Sequence, residues 1–114
     1  RMLIMIAGPY TSEGASALQR AENLRRMNLA ALAVWDKGHT PLIGVNAVMP
    51  MIECAGHHRY DELMMPICLD LAGRCDAVLR IGGFSRGADQ EVERIASHGG
   101  RVFRDIAEVP AVDR

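Results

Sequence analysis

Glu91 stands three residues after Ala88 at the end of the run Gly82-Gly83-Phe84-Ser85-Arg86-Gly87. At ~100° per residue, Ala88, Val92, Ile95 and Ala96 form one buried stripe with Glu91 on its flank, and Gln90, Glu93 and Arg94 face solvent. A carboxylate so placed, near a helix start and beside Ser85, is expected to stay ionised while poorly hydrated, as a nucleophile toward an electrophilic sugar carbon requires. A second candidate loop, Gly8-Pro9-Tyr10-Thr11-Ser12-Glu13-Gly14, offers hydroxyls, a phenol and the start of a following helix, a setting for an anion or a sugar. It has neither the G-K-[ST] of a Walker loop nor the GxGxxG of a dinucleotide fingerprint. Histidine is the residue type suited to proton transfer near neutral pH, which makes His57 and His58 candidates to protonate a leaving group.

The elements that would carry these residues follow from periodicity. Met2 to Ala7 is a continuous apolar run, expected as a central strand buried on both faces. Ser16-Ala17-Leu18-Gln19 has the form of a capping box, and Leu24, Met27, Ala31, Val34 and Trp35 carry a helix to Lys37, with Gly38 as its cap. Thr40 to Ile43 forms a short second strand, toward an edge because of Pro41. Residues 45–56 contain Pro50 and are expected to make one or two helical turns, and the polar tetrad His57 to Tyr60 gives little signal. Asp61 caps a helix to about Arg74, kinked or delayed at Pro66. Asp76 to Ile81 is a third strand, 88–98 a last helix ended by Gly99-Gly100, and Arg101 to Arg104 a fourth strand; the tail from Asp105 shows no pattern. This order calls for an α/β fold with a parallel sheet covered on both faces, whose ligands bind at the carboxyl ends of the strands.

The 114 residues make one domain, and 49% hydrophobic residues with 24% charged suffice for a core. A net charge of −1 provides no basic face for a nucleic-acid polymer. Apolar stretches fall short of a membrane span or signal segment, so a cytoplasmic protein with no membrane partner is expected, with Arg1 read as an addition ahead of Met2. Cys54, Cys68 and Cys75 lack zinc spacing and are expected to be reduced, mostly core residues. Neither metal nor cofactor is implied. The methionine-rich segment Val45 to Pro66 is expected to serve as a homodimer interface.

Ala7-Gly8-Pro9-Tyr10, then Gly38-His39-x-Pro41, then Cys75-Asp76-Ala77-Val78, and above all Gly82-Gly83-Phe84-Ser85-Arg86-Gly87-Ala88-x-x-Glu91-x-x-x-x-Ala96 resemble the nucleoside 2-deoxyribosyltransferase-like superfamily, in particular its small DUF4406 branch. The resemblance spans Met2 to about Arg104, taken as a single domain with 105–114 as a tail. It implies a flavodoxin- or Rossmann-like three-layer sandwich with four to five parallel strands, assembled as dimers or larger. It also implies cleavage of the N-glycosidic bond of a 2′-deoxynucleoside or its 5′-monophosphate, with no cofactor. By motif position Glu91 would attack C1′ of the sugar and Tyr10 would orient it or line the base pocket. Gly8, Pro9, Thr11, Ser85, Arg86, Gly87, Asp76 and His58 would contact substrate, Arg86 through a phosphate. The transferases carry an acidic residue near the position of Ser85, so its hydroxyl here points toward the nucleotide hydrolases.

Three other functions fit the same elements. A nucleotide-sensing domain would keep the pocket without turnover. A phosphoribohydrolase would carry a Gly-Gly-x-Gly-Thr-x-x-Glu loop, which the spacing here fits less well. A flavodoxin-like electron carrier is disfavoured by the scarcity of aromatic residues, two Phe, two Tyr and one Trp.

Overall fold

The computed structural model describes residues 1–114, apart from the Glu13 side chain. Four parallel strands, β1 (Leu3–Ala7), β2 (Thr40–Leu42), β3 (Ala77–Arg80) and β4 (Arg101–Phe103), lie in the order β2-β1-β3-β4. The register sets Ile4 beside Pro41 on one side and Ala77 on the other. Four helices connect or flank them: α1 (Ala17–Asp36), α2 (Gly44–Ala55), α3 (Tyr60–Ala72) and α4 (Arg86–Ser97).

Strand alternation sorts the core into two layers. Ile4, Ile6, Ala77, Leu79 and Phe103 face α1, meeting Met27 and Val34. Met5, Ala7 and Val78 face the other way, onto Ala72 of α3 and Ala88 and Ile95 of α4. The chain is therefore an α/β three-layer sandwich of the flavodoxin or Rossmann kind, with β1 central.

Both ends of α1 follow from its sequence. Ser16 and Gln19 close the capping box, with Gln19 N donating to Ser16 Oγ at 3.2 Å and Ser16 N to Gln19 Oε1 at 2.7 Å. Gly38 takes φ +99°, and a Cβ there would stand 2.0 Å from Val112 O. Trp35 departs from the expected apolar stripe: it is 49% exposed, its ring covered by the Arg114 guanidinium.

Four other expectations need correction. Residues 44–55 form a full helix despite Pro50, because Val48 and Ile52 are buried against Met64 and Cys68 of α3, and that packing offsets the lost backbone bond. α3 starts at Tyr60 with no side-chain cap and continues through Pro66, which is exposed; Asp61 sits in its first turn. Ala96 is exposed, so the stripe of α4 comprises Ala88, Glu91 and Ile95 with Val92 at its border.

The tail is also structured. Asp105 and Glu108 cap a 3₁₀ turn at Ile106–Glu108, and Val109 joins the α1-side core. Lys37 Nζ donates to Ile106 O and Val109 O, and the buried His39 bridges Met2 N and Pro110 O. Residues 105–109 thus belong to the same body as 2–104.

Candidate functional site

Parallel strands deliver β1 and β3 to one edge of the sheet, and the loops that follow them touch there. A Cβ on Gly8 would lie 2.9 Å from Ile81 Cγ1, and one on Gly82, at φ +75°, would lie 2.7 Å from Pro9 Cδ. Only glycine permits both approaches. Beside them opens a cavity of about 370 Å³, walled by the first loop, the start of α4, and α2 and α3.

Gly8, Tyr10, Thr11, Ser85, Arg86, Gly87 and Glu91 all line this cavity, so most of the residues singled out in the sequence converge. Ser85 is the N-cap of α4, its Oγ accepting from Ala88 N at 3.1 Å. That bond uses a lone pair of the hydroxyl and leaves its proton for a ligand. Arg86 is exposed at the rim. Glu91 is 8% exposed and is among the residues that line the cavity.

Glu91 is not ionised in the way expected from its helix. Burial pushes its carboxyl up to about 8, with the Arg80 charge pulling the other way and no hydrogen bond contributing. At pH 7 the empty site therefore holds mostly a neutral acid. Glu91 is the sixth residue of α4, beyond the first turn where helix N–H groups act, and the Ser85 hydroxyl makes no hydrogen bond to it. Gly44 and Cys68 close in on it: a Cβ on Gly44 would stand 3.3 Å from Glu91 Oε2 and 2.5 Å from Cys68 Sγ.

Three expected site residues lie elsewhere. Asp76 precedes β3 and so sits at the amino edge of the sheet, where its Oδ2 accepts from Leu3 N at 2.8 Å. Pro9 packs against Gly82 and borders recesses beside the cavity rather than the cavity itself. His58 is exposed on the 3₁₀ turn His57–Arg59 and does not line the cavity; His57 borders an adjoining recess with Tyr10 and Tyr60.

Other lining residues escaped the sequence: Val45, Tyr60, Met64, Met65, Cys68 and Phe84. Tyr60 is the most informative, since burial pushes its phenol up and it keeps its proton at neutral pH. Its sequence signal, a tyrosine opening an apolar helical run after a polar tetrad, marks a helix start and nothing more. Cys68, pushed up to about 12 by burial and Glu91, is an unreactive thiol in the wall. The segment 45–66 turns Met64 into the core and leaves Met51 exposed.

Among the described residues no group of three or more His, Cys, Asp or Glu could hold a metal ion, and no helix is long and apolar enough to cross a membrane. No family model matches the chain, and no curated protein or solved structure matches it significantly.

Proposed function

We propose that this chain is a member of the nucleoside 2-deoxyribosyltransferase-like superfamily that cleaves the N-glycosidic bond of a 2′-deoxynucleoside or its 5′-monophosphate, with Glu91 as nucleophile. The observation that carries the reading is Glu91 itself: a buried carboxyl lining a cavity of about 370 Å³ that the hydroxyl residues Tyr10, Thr11 and Ser85 also line. A cavity of that size suits a ligand of nucleotide dimensions. Its lining supplies both chemistries, Ser85, Arg86 and Gly87 for a phosphate and sugar, and Tyr10, Tyr60 and Val45 an apolar setting for a base.

In the reaction, Glu91 gives up its proton to solvent and the carboxylate attacks C1′ as the C–N bond to the base breaks. The base nitrogen takes a proton from solvent as it leaves, which balances the one Glu91 released. Water, or a second base, then attacks C1′ of the glycosyl ester and frees the carboxylate, giving hydrolysis or transfer. Burial makes the carboxylate poorly solvated and hence reactive once formed, and a cationic transition state beside it favours the ionised form. Tyr10 stands in the wall where it can orient either Glu91 or the base. Assembly as a homodimer belongs to the same proposal and is tested by the sedimentation mass.

A competing reading is favoured by one observation: a carboxyl that is neutral at pH 7 suits a domain that binds a nucleotide without turning it over. Incubating the protein and Glu91→Gln with a panel of 2′-deoxynucleosides and 5′-monophosphates, with and without an acceptor base, separates the two. Free base released by the native chain and not by the variant supports catalysis, and dependence on acceptor identifies transfer. Equal ligand binding by both with no base released leaves the binding domain.

A further inference from the structure

Arg80 ends β3, in register with Ala7, and is 8% exposed at the close of a strand otherwise made of Ala77, Val78 and Leu79. A buried guanidinium persists where its donors are met. Nε donates to Asp89 Oδ1 at 3.0 Å, Nη2 to Gly83 O at 2.8 Å and Nη1 to Ile81 O. Two of these acceptors are carbonyls of the connection from β3 to α4, and the third lies on the first turn of α4. One side chain thus spans the segment that presents Ser85 and Arg86 to the cavity.

The ends of that segment are held by Ile81 N, which donates to Ala7 O, and by the Ser85 cap, and its middle is open to the outside. A Cβ on Gly83 would meet nothing within 4 Å, and one on Gly82 would meet only Pro9. Arg80 does not itself line the cavity. Its charge nonetheless reaches Glu91, and among the described residues it is the one cation that does so. The other titratable groups acting with Glu91 are the thiols of Cys68 on α3 and Cys75 before β3, while Tyr10 and Tyr60 share its cavity and α2 contributes the Gly44 backbone.

We infer that Arg80 is a positioning residue for the site: its guanidinium shapes the turn 81–85 and supplies, from behind the cavity wall, the positive charge that acts on Glu91, with Asp89 setting how much of that charge is felt. The inference rests on Glu91 as the reacting group, and its sign structure makes it testable apart from that reading. Removing Arg80 removes the positive charge. Removing the Asp89 charge leaves Arg80 less neutralised, so the two changes act on Glu91 in opposite directions.

The test is the titration midpoint of Glu91 in the ligand-free protein, followed by NMR on chains carrying ¹³C at the glutamate carboxyl and assigned by the signal missing in Glu91→Gln. Arg80→Met is expected to raise the midpoint by about one pH unit, Asp89→Asn to lower it by less, and Arg80→Lys to keep it near the native value while raising KM through loss of the forked contacts. Opposite shifts support the inference. Shifts of one sign in both variants, or none in either, overturn it, since a general loosening of the loop has no such sign dependence. Should Arg80→Met fail to fold, a downward shift in Asp89→Asn with an unmoved Arg80→Lys supports the inference, and any other pair of results overturns it. Opposite shifts in a chain that releases no base reject the reaction and retain the Arg80–Glu91 coupling.

Discussion

Tyr60 Oη and Thr11 Oγ1 lie 3.4 Å apart, joining the start of α3 to the loop after β1 across the mouth of the cavity. The contact links segments 49 residues apart in the chain. Both groups line the cavity, and either can be the donor, so a ligand that enters can exchange places with this bond without leaving a polar group unmet. Tyr60→Phe is expected to raise KM for the deoxynucleotide about three- to tenfold with little change in melting temperature, the range of a single hydrogen bond. An unchanged KM would place the ligand away from α3.

The neutral Glu91 gives the activity and the stability opposite pH dependences. If the carboxylate is the reacting form, kcat/KM rises about tenfold per pH unit below a midpoint near 8 and levels above it, since this parameter reports the free protein. For stability, the folded midpoint of about 8 exceeds the ordinary 4.5, so the native chain holds the proton more tightly than the unfolded one. The resulting stabilisation is full below about 4.5 and is lost as pH rises to about 8, with an upper bound of about 5 kcal/mol. Glu91→Gln removes this dependence. Compared by chemical denaturation, the variant should gain on the native chain between pH 5 and pH 9; parallel curves would show that Glu91 titrates normally.

The site was legible where local pattern decides it and obscure where distant elements do. Helical periodicity placed Glu91 on the buried flank of α4, and Ser85 reads as a cap from its type and position. The protonation of Glu91 depends on Gly44 and Cys68, which reach it from α2 and α3, and no local pattern carries that approach. Asp76 and Arg80 bracket the same strand, so strand direction alone sends one to each edge, and only the residue at the carboxyl end bears on the site. Pro50 misled for a similar reason, its local cost being outweighed by contacts with a helix that follows it.

Ser85 combines two duties that a substitution can separate. Ser85→Ala deletes the acceptor for Ala88 N and should cost about 1 kcal/mol by thermal or chemical unfolding. Ser85→Asp keeps a capping oxygen and should retain most of the stability, while its charge at the phosphate side repels a 5′-monophosphate. The ratio of kcat/KM for deoxynucleoside over monophosphate should therefore rise at least tenfold in Ser85→Asp. A ratio unchanged from the native chain would remove the phosphate from the start of α4.

Gly44 is the tightest point in the wall behind Glu91. A methyl group there meets Cys68 Sγ at 2.5 Å, and the thiol belongs to a short side chain packed against Val48, Ile52 and Met64, so it has little room to withdraw. Gly44→Ala should cost about 1–3 kcal/mol as overpacking, more than the helix gains from alanine at its first residue. Cys68→Ala alone leaves a small void and should cost about 1 kcal/mol. In the double variant the new methyl occupies space that the thiol vacates, so the combined loss should fall below the sum of the single losses by at least 1 kcal/mol. Additive losses in denaturant unfolding would mean that α2 shifts as a body to admit the methyl, in which case Gly44→Ala should also move the pH midpoint of Glu91.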